Sequence, residues 1–291
     1  MKRSQAVLIT GATYGIGRAI LEKFSLEGRR VVAVARSRDK LKELVKDIRS
    51  RGGEADYLCA DLSDPAVVKR SMKNLINKFA PIDTVILNAG YSNNLAFEDT
   101  TDKLRRQEFD LNYFSPALII ETLLPHLLNQ KNPHIISIGS LTGFIPFPGN
   151  SNYASSKAAL YGLMRNLMIE LKDESIHLGT VIPGLVMTQL SEGMGGLIPA
   201  LTPEEVAEAT YDCYQSDSFF IVPGITNQLT YIFDRLFPQF FSDLVKILGP
   251  SLIPSFPLRK KQKSKAKTKS KSRTTGKSKS KAGTKLRVKR A

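Results

Sequence analysis

Cysteine is scarce in this chain of 291 residues. Cys59 lies in an apolar run and Cys213 in a predicted helix, and the pair matches neither a disulfide framework nor a metal-site spacing. Both read as inert core residues in a reducing compartment. Long apolar runs are also missing. After Lys2 and Arg3 the first apolar run covers only residues 6–9 before a glycine-rich turn, too short for the core of a secretory signal. From Asp217 onward no stretch reaches the roughly 20 apolar residues of a spanning helix without Pro, Gly or a polar break. A cytoplasmic protein without a transmembrane helix, at most peripheral on a membrane, is therefore expected. Acid is missing from one region: residues 259–291 hold 16 Lys and Arg and no Asp or Glu. The remaining 26 basic and 27 acidic residues leave a body of charge −1, although the whole chain carries +15.

What is present begins with 42% hydrophobic residues, ample for a buried core. Apolar runs at residues 5–10, 30–35, 55–60, 82–88, 134–139, 176–182 and 219–222 read as strands. Helical patterns fall between them at residues 18–26, 39–50, 65–79, 102–128, 150–172 and 203–214. Continuously apolar strands separated by helices predict an α/β fold, a doubly wound parallel sheet of about seven strands covered on both faces. Ligands of such sheets bind beyond the carboxyl ends of the strands. Gly11, Arg36, Asp61, Asn88, Ser140 and the pair Pro183 and Gly184 follow the first six strands in turn.

One stretch, residues 137–160, concentrates the chemistry. Tyr153 and Lys157 are four residues apart, so on a helix they share a face. A phenol with an ordinary pKa of about 10 is a sluggish acid or base at neutral pH, and an adjacent ammonium favours the phenolate. Such a pair can shuttle a proton. Ser140, thirteen residues earlier at the end of a predicted strand, offers a hydroxyl to a carbonyl oxygen. At the other end of the fold, Gly11, Gly15 and Gly17 join the first strand to the first helix. Their spacing is one residue longer than the common dinucleotide fingerprint, in a context that lets phosphates approach backbone N–H groups.

Taken in order, seven motifs resemble the short-chain dehydrogenase/reductase family over about the first 225 residues. They are T-G-x-x-x-G-x-G (residues 10–17), Asp61 with Leu62, N-A-G (Asn88, Ala89, Gly90), Asn112, Ser140, Y-x-x-x-K (Tyr153, Lys157) and P-G-x-x-x-T (Pro183, Gly184, Thr188). The resemblance implies a Rossmann-like fold and a catalytic set of Asn112, Ser140, Tyr153 and Lys157. Tyr153 would be the acid/base and Lys157 would lower its pKa and bond the nicotinamide ribose. Ser140 would polarise the carbonyl, and Asn112, in a kinked long helix, would hold water in a proton relay. Gly11, Gly15 and Gly17 would line the pyrophosphate, with Thr10, Tyr14 and Ile16 in the same cofactor-binding turn. Asp61 and Leu62 would border the adenine and residues 88–90 would support the sheet beside the cofactor. Pro183 and Gly184 lead to Thr188, which would meet the nicotinamide carboxamide.

An acid at the end of the second strand would accept from the ribose 2′-OH, but that end carries Arg36, and no acid comes before Asp39. Arginine suits a 2′-phosphate, so NADP (NADPH) is the expected cofactor. The apolar segment at residues 185–201, with Met187, Met194, Leu197 and Ile198, and the residues Phe144, Ile145, Phe147 and Pro148 suggest a lipophilic ketone or aldehyde substrate. They could equally pack on one another or across a dimer. The resemblance also implies a homo-oligomer.

Beyond this catalytic region (residues 1–225) lies an apolar amphipathic segment, residues 226–258. Leu229, Ile232, Phe233, Leu236, Phe240 and Leu244 recur at threes and fours, with Pro238 interrupting, as in helices that pack on the body, on a partner, or in a membrane interface. Residues 247–258, with Pro250, Pro254 and Pro257, read as extended. The Lys- and Ser-rich tail, 259–291, is too poor in apolar residues to fold and is expected to be disordered. It suits an anionic membrane surface, non-specific nucleic acid, or solubility alone. A reductase is favoured over a cofactor-binding scaffold or sensor, which has no need of the whole proton-transfer set.

Overall fold

Runs of apolar side chains with no alternation can be satisfied only where both faces of a strand are covered. In the structure, a computed structural model describing residues 4–189 and 199–252, Ala6–Thr10 (β1), Arg30–Ala35 (β2), Ile82–Leu87 (β4) and His134–Ile138 (β5) are buried along their whole length. Ala55–Cys59 (β3) and the short Phe220–Ile221 (β7) are only half-buried, as edge strands are, and His177–Val181 (β6) lies inside β7. The order is β3-β2-β1-β4-β5-β6-β7, and every pairing is parallel. Strand order reverses between β1 and β4, which opens a crevice at their carboxyl ends.

Helices cover both faces. On one, Gly15–Leu26 (α1) and Arg38–Ser50 (α2) bury Phe24 and Leu41 against β1 and β2, and Pro203–Ser216 (α7) buries Val206 over β5 and β6. On the other, Pro65–Phe79 (α3), Ser115–Leu127 (α5) and Ser151–Glu170 (α6) bury Met72, Ile119 and Leu160. The doubly wound, single-domain expectation is met.

Two predicted elements come out differently. The single helix expected over residues 102–128 is broken into Asp102–Phe109 (α4) and α5 by a widened turn, Asp110–Phe114. Pro116 has no N–H to give the carbonyl of Asn112, so the turn widens and the Ser115 N–H reaches back five residues to the Asp110 carbonyl. The kink expected around Asn112 is this turn. At the C-terminal side, Pro238 separates Ile225–Leu236 (α8) from Pro238–Leu252 (α9). The extended run expected from residue 247 is corrected here, because α9 continues through Gly249 and Pro250 to Leu252. A proline in a last turn removes only one backbone hydrogen bond. Residues 253–258, the tail from 259, and residues 190–198 with Met194, Leu197 and Ile198 lie outside the described residues. Among the described residues no helix is long and apolar enough to cross a membrane.

Candidate active site

The ends of β1 and β4 are tied by one threonine and one asparagine. Thr10 Oγ1 donates to the Ile86 carbonyl (3.3 Å) and accepts from the N–H groups of Asn88 and Ala89, both at 3.0 Å. In return Asn88 Nδ2 donates to the Thr10 carbonyl at 2.9 Å. The glycine turn sits on this clamp. Gly11 and Gly15 have φ of +68° and +48°, and a Cβ on Gly17 would lie 2.3 Å from both the Gly11 carbonyl and Asn88 Nδ2. A Cβ on Gly15 would approach Thr188 Cγ2 to 3.0 Å, so the predicted pyrophosphate and carboxamide contacts face each other across a narrow gap.

Helix α1 starts at this gap with no side-chain cap from Tyr14 and no acid in its first turn. Its leading N–H groups, bared by glycines, fit an anionic pyrophosphate. Beyond the end of β2, Arg36, Arg38 and Lys40 are exposed, and Lys40 Nζ lies 4.1 Å over the Tyr14 ring. Leu62 is buried. Partial burial works against the Asp61 carboxylate, but the Ser63 N–H and hydroxyl and the Arg36 charge outweigh it and hold the group below its usual value. Arg36 therefore already feels one anion, and its guanidinium is free in space to meet a second.

Ser140 follows β5 and caps the turn Leu141–Gly143, its Oγ 2.9 Å from Thr142 Oγ1. The Leu141 N–H donates to the Pro183 carbonyl at 2.8 Å, which fixes this loop to the predicted Pro183 and Gly184 segment. Tyr153 and Lys157 occupy one face of α6, as their spacing requires. Ser140 hydrogen-bonds the phenol, and the Lys157 ammonium lies 5.8 Å from the Tyr153 ring centre.

The expected lowering of the tyrosine pKa is not what this arrangement gives. Burial pushes Tyr153 up to about 12, against the Ser140 hydrogen bond and with the Glu108 charge adding to the rise. Burial also brings Lys157 down to about 8. Desolvation disfavours the charged form of each group and is the largest cause of both shifts.

Asn112 is fully buried in the widened turn and spans the backbone of Tyr91. Its Oδ1 accepts from the Tyr91 N–H and its Nδ2 donates to the Tyr91 carbonyl, both at 2.8 Å, with a further bond to Ser156 Oγ at 2.9 Å. A Cβ on Gly90 would sit 3.4 Å from Asn112 Oδ1 and 3.5 Å from Lys157 Nζ, so all three predicted residues meet at one point. The structure thus brings Asn112, Ser140, Tyr153 and Lys157 together above the ends of β4 and β5.

Several residues at the site carried no motif. Glu108 is buried, and burial holds its carboxyl above the usual value despite hydrogen bonds from Asn93 and Ser92. Thr142 holds Ser140, a contact readable from the Ser-x-Thr spacing. Asn227 of α8 fills the space beside Gly184. Phe144 packs with Tyr161, Phe220 and Tyr231, so this part of the apolar segment packs internally. Its neighbours Ile145, Phe147 and Pro148 line a cleft of about 620 Å³ closed on the far side by Ser242, Val245 and Lys246 of α9.

Comparison with known proteins decides the family. The short chain dehydrogenase family profile matches residues 5–195. The chain belongs to the short-chain dehydrogenase/reductase family. A fatty acyl-CoA reductase of Acinetobacter baylyi is 31% identical over 255 residues, 81% of this chain and 86% of that protein. Dehydrogenase/reductase SDR family member 7B of Rattus norvegicus is 33% identical over 195 residues, 65% of this chain, and the match spans only 60% of that relative's length. A short-chain dehydrogenase from Sphingobium yanoikuyae in complex with NADPH superposes with a TM-score of 0.71 at 25% identity, covering 89% of this chain and 98% of that one. A family member from Burkholderia phymatum in complex with NAD shares the fold, with a TM-score of 0.74 at 20% identity over 81% of this chain and 95% of that one. A nicotinamide cofactor thus accompanies both solved relatives, in its phosphorylated form in one of them.

Proposed function

We propose that this short-chain dehydrogenase/reductase is an NADPH-dependent reductase of a lipophilic ketone or aldehyde, with Tyr153 as the proton donor. The observation that carries this reading is the gathering of Ser140, Tyr153 and the buried Lys157 ammonium at the carboxyl end of β5, with Lys157 Nζ bonded to the Ile138 carbonyl and 5.8 Å from the Tyr153 ring centre. When bound, the nicotinamide supplies hydride to the carbonyl carbon. Tyr153, whose phenol holds its proton at neutral pH, gives that proton to the carbonyl oxygen, and Ser140 donates a hydrogen bond to the same oxygen. As the phenolate forms, the charge of Lys157 stabilises it.

Gly11, Gly15 and Gly17 with the first turn of α1 would hold the pyrophosphate, and Thr188 the carboxamide side. Arg36, exposed at the end of β2 with Arg38 and Lys40 nearby, would take the 2′-phosphate, which favours NADPH over NADH. The fatty acyl-CoA reductase among the relatives supports a fatty-acyl-like carbonyl substrate.

The test is a panel of long-chain, sphingoid and steroid-like ketones and aldehydes, with NADPH and NADH consumption followed by absorbance. Turnover of at least one apolar carbonyl with NADPH is expected, strongly reduced in Tyr153→Phe. Turnover confined to small polar carbonyls would overturn the substrate class, and equal turnover by the variant would overturn the role of Tyr153.

A further inference from the structure

A second gathering of chemistry lies at the amino end of the sheet, away from the crevice. His134 and His177 are the first residues of β5 and β6, and the parallel register sets them side by side. Partners in register project to the same face, so the two imidazoles stack, with ring centres 4.9 Å apart and planes 26° from parallel. Asp217 closes α7 in the left-handed conformation, with φ +54°. Its Oδ1 lies 2.9 Å from His134 Nε2 and 3.4 Å from His177 Nδ1, and the three ligand atoms are all within 4.8 Å of one another.

The hydrogen bonds of His134 call for a cation at this point. The residue is only 6% exposed. Its Nδ1 lies 2.9 Å from the Asn132 carbonyl, which can only accept, so Nδ1 carries the proton. In a neutral imidazole Nε2 then has a lone pair, and it is aimed at a carboxylate oxygen that also only accepts. A second proton on the ring would relieve His134 but makes no use of His177, whose Nδ1 is turned to the same oxygen. A divalent metal ion uses all three. An Nδ1–H held by a backbone carbonyl is the outer bond that commonly orients a metal-binding imidazole. The separations of 2.9 and 3.4 Å bracket the roughly 3.3 Å between neighbouring ligands of a tetrahedral zinc ion with bonds of about 2.0–2.1 Å. The end of α7 adds the negative pole of a helix dipole. Arg29, which reaches the Tyr214 ring packed on His134, is engaged with Asp83 at 2.6 Å, and among the described residues Asp217 forms no ion pair with Lys or Arg.

We propose that His134 Nε2, His177 Nδ1 and Asp217 Oδ1 form a zinc site that ties the amino ends of β5 and β6 to the end of α7. Two imidazole ligands favour zinc over magnesium and calcium, which seek oxygen. The His177 and Asp217 side chains are partly exposed, which gives the ion a way in and leaves room for water as the fourth ligand. The role is structural. Four strand residues, roughly 13 Å, separate His134 from Ile138, whose carbonyl holds Lys157 at the catalytic end. Asp217 shortly precedes β7, which pairs with the sheet only through Thr180 and Val181, so the ion would pin the weakest edge of the sheet.

The untagged full-length chain, freed of metal with EDTA, is titrated calorimetrically with zinc chloride in the absence of nicotinamide and substrate. The chain has three histidines, and the third, His126, accepts from the Ile82 N–H at 3.3 Å, so competing imidazole ligands are few. One equivalent of zinc should bind. Zinc at a hundredfold excess over its Kd should raise the melting temperature by roughly 5–10 °C, and EDTA should reverse the rise. Asp217→Asn keeps a residue that tolerates the left-handed conformation, and His177→Gln alters a partly exposed side chain, so both variants should fold with the melting temperature of the metal-free native chain. Each should bind zinc more weakly by at least the roughly 10–100-fold that loss of an outer partner costs, and each should lose the thermal shift. Absence of both binding heat and thermal shift in the native chain would overturn the proposal, as would zinc binding that both variants retain in full. Ring-nitrogen NMR shifts showing His134 doubly protonated and unmoved by zinc would assign the cation to a proton and overturn it equally.

Discussion

The ammonium of Lys157 donates to the backbone carbonyl of Ile138 at 2.8 Å, at the last residue of β5. This bond joins the middle of α6 to the carboxyl end of the sheet and sets where Tyr153, one turn earlier, stands relative to Ser140. It also holds a charge in a buried place.

That burial has a measurable cost. Lys157 titrates near 8 in the folded chain against 10.5 in an exposed lysine, which corresponds to about 3 kcal/mol at neutral pH. The sign follows from proton binding: between pH 8 and 10.5 the unfolded chain holds the extra proton, so stability rises with pH across that window. In Lys157→Met this contribution is removed. Denaturant melts from pH 7 to 10 should show a rise in the native chain that is absent in the variant, and turnover should fall in the variant at every pH. Parallel stability profiles would show that Lys157 is not buried as a cation.

Tyr153→Phe removes only the hydroxyl and leaves the ring in place. Turnover should drop roughly 10²–10⁴-fold with cofactor affinity within about twofold. Single-turnover kinetics and NADPH fluorescence titration read the two separately, and a large loss of NADPH affinity would mean the phenol positions the cofactor rather than the proton.

Arg36→Asp replaces a phosphate partner with a group that repels a 2′-phosphate and can accept from a 2′-OH. The ratio of NADPH to NADH affinity should invert, and Asp61, released from the Arg36 charge, should remain anionic at neutral pH through its Ser63 bonds. A native preference for NADH in isothermal titration would remove the basis for assigning the phosphate to Arg36.

Asn112→Leu leaves the Tyr91 N–H and carbonyl without the partners they have at 2.8 Å. Two polar groups stripped in a buried turn should cost roughly 2–5 kcal/mol of stability. Because Gly90 and Lys157 abut the same point, turnover should fall by more than the unfolded fraction explains, read by activity at temperatures well below the melting point.

Gly17→Ala puts a methyl 2.3 Å from the Gly11 carbonyl and from Asn88 Nδ2, neither of which can retreat without opening the clamp between β1 and β4. A loss of roughly 1–3 kcal/mol and a weakened cofactor affinity are expected from melts and titration.

Periodicity and local spacing determine much of this protein's architecture. Apolar runs without alternation specify buried parallel strands, because no other covering satisfies them. The order of Gly11, Asn88, Ser140 and Pro183 after successive strands assigns them to one edge of the sheet, because all parallel strands end on the same side. Four residues between Tyr153 and Lys157 specify a shared helix face for the same geometric reason. What sequence left open depended on desolvation and on contacts between distant segments. Whether Lys157 lowers Tyr153 or burial raises it is a balance of two opposing effects, and only the depth of both groups decided it. Glu108 and Asn227 carry no local signature, since their roles arise where Asn93 and Gly184 are brought against them. The stripe on α8 shows the division most plainly. Its 3.6-residue period is written in the sequence, but which side faces the body was decided by the seats available to Asn227 and Asp234 in the folded chain.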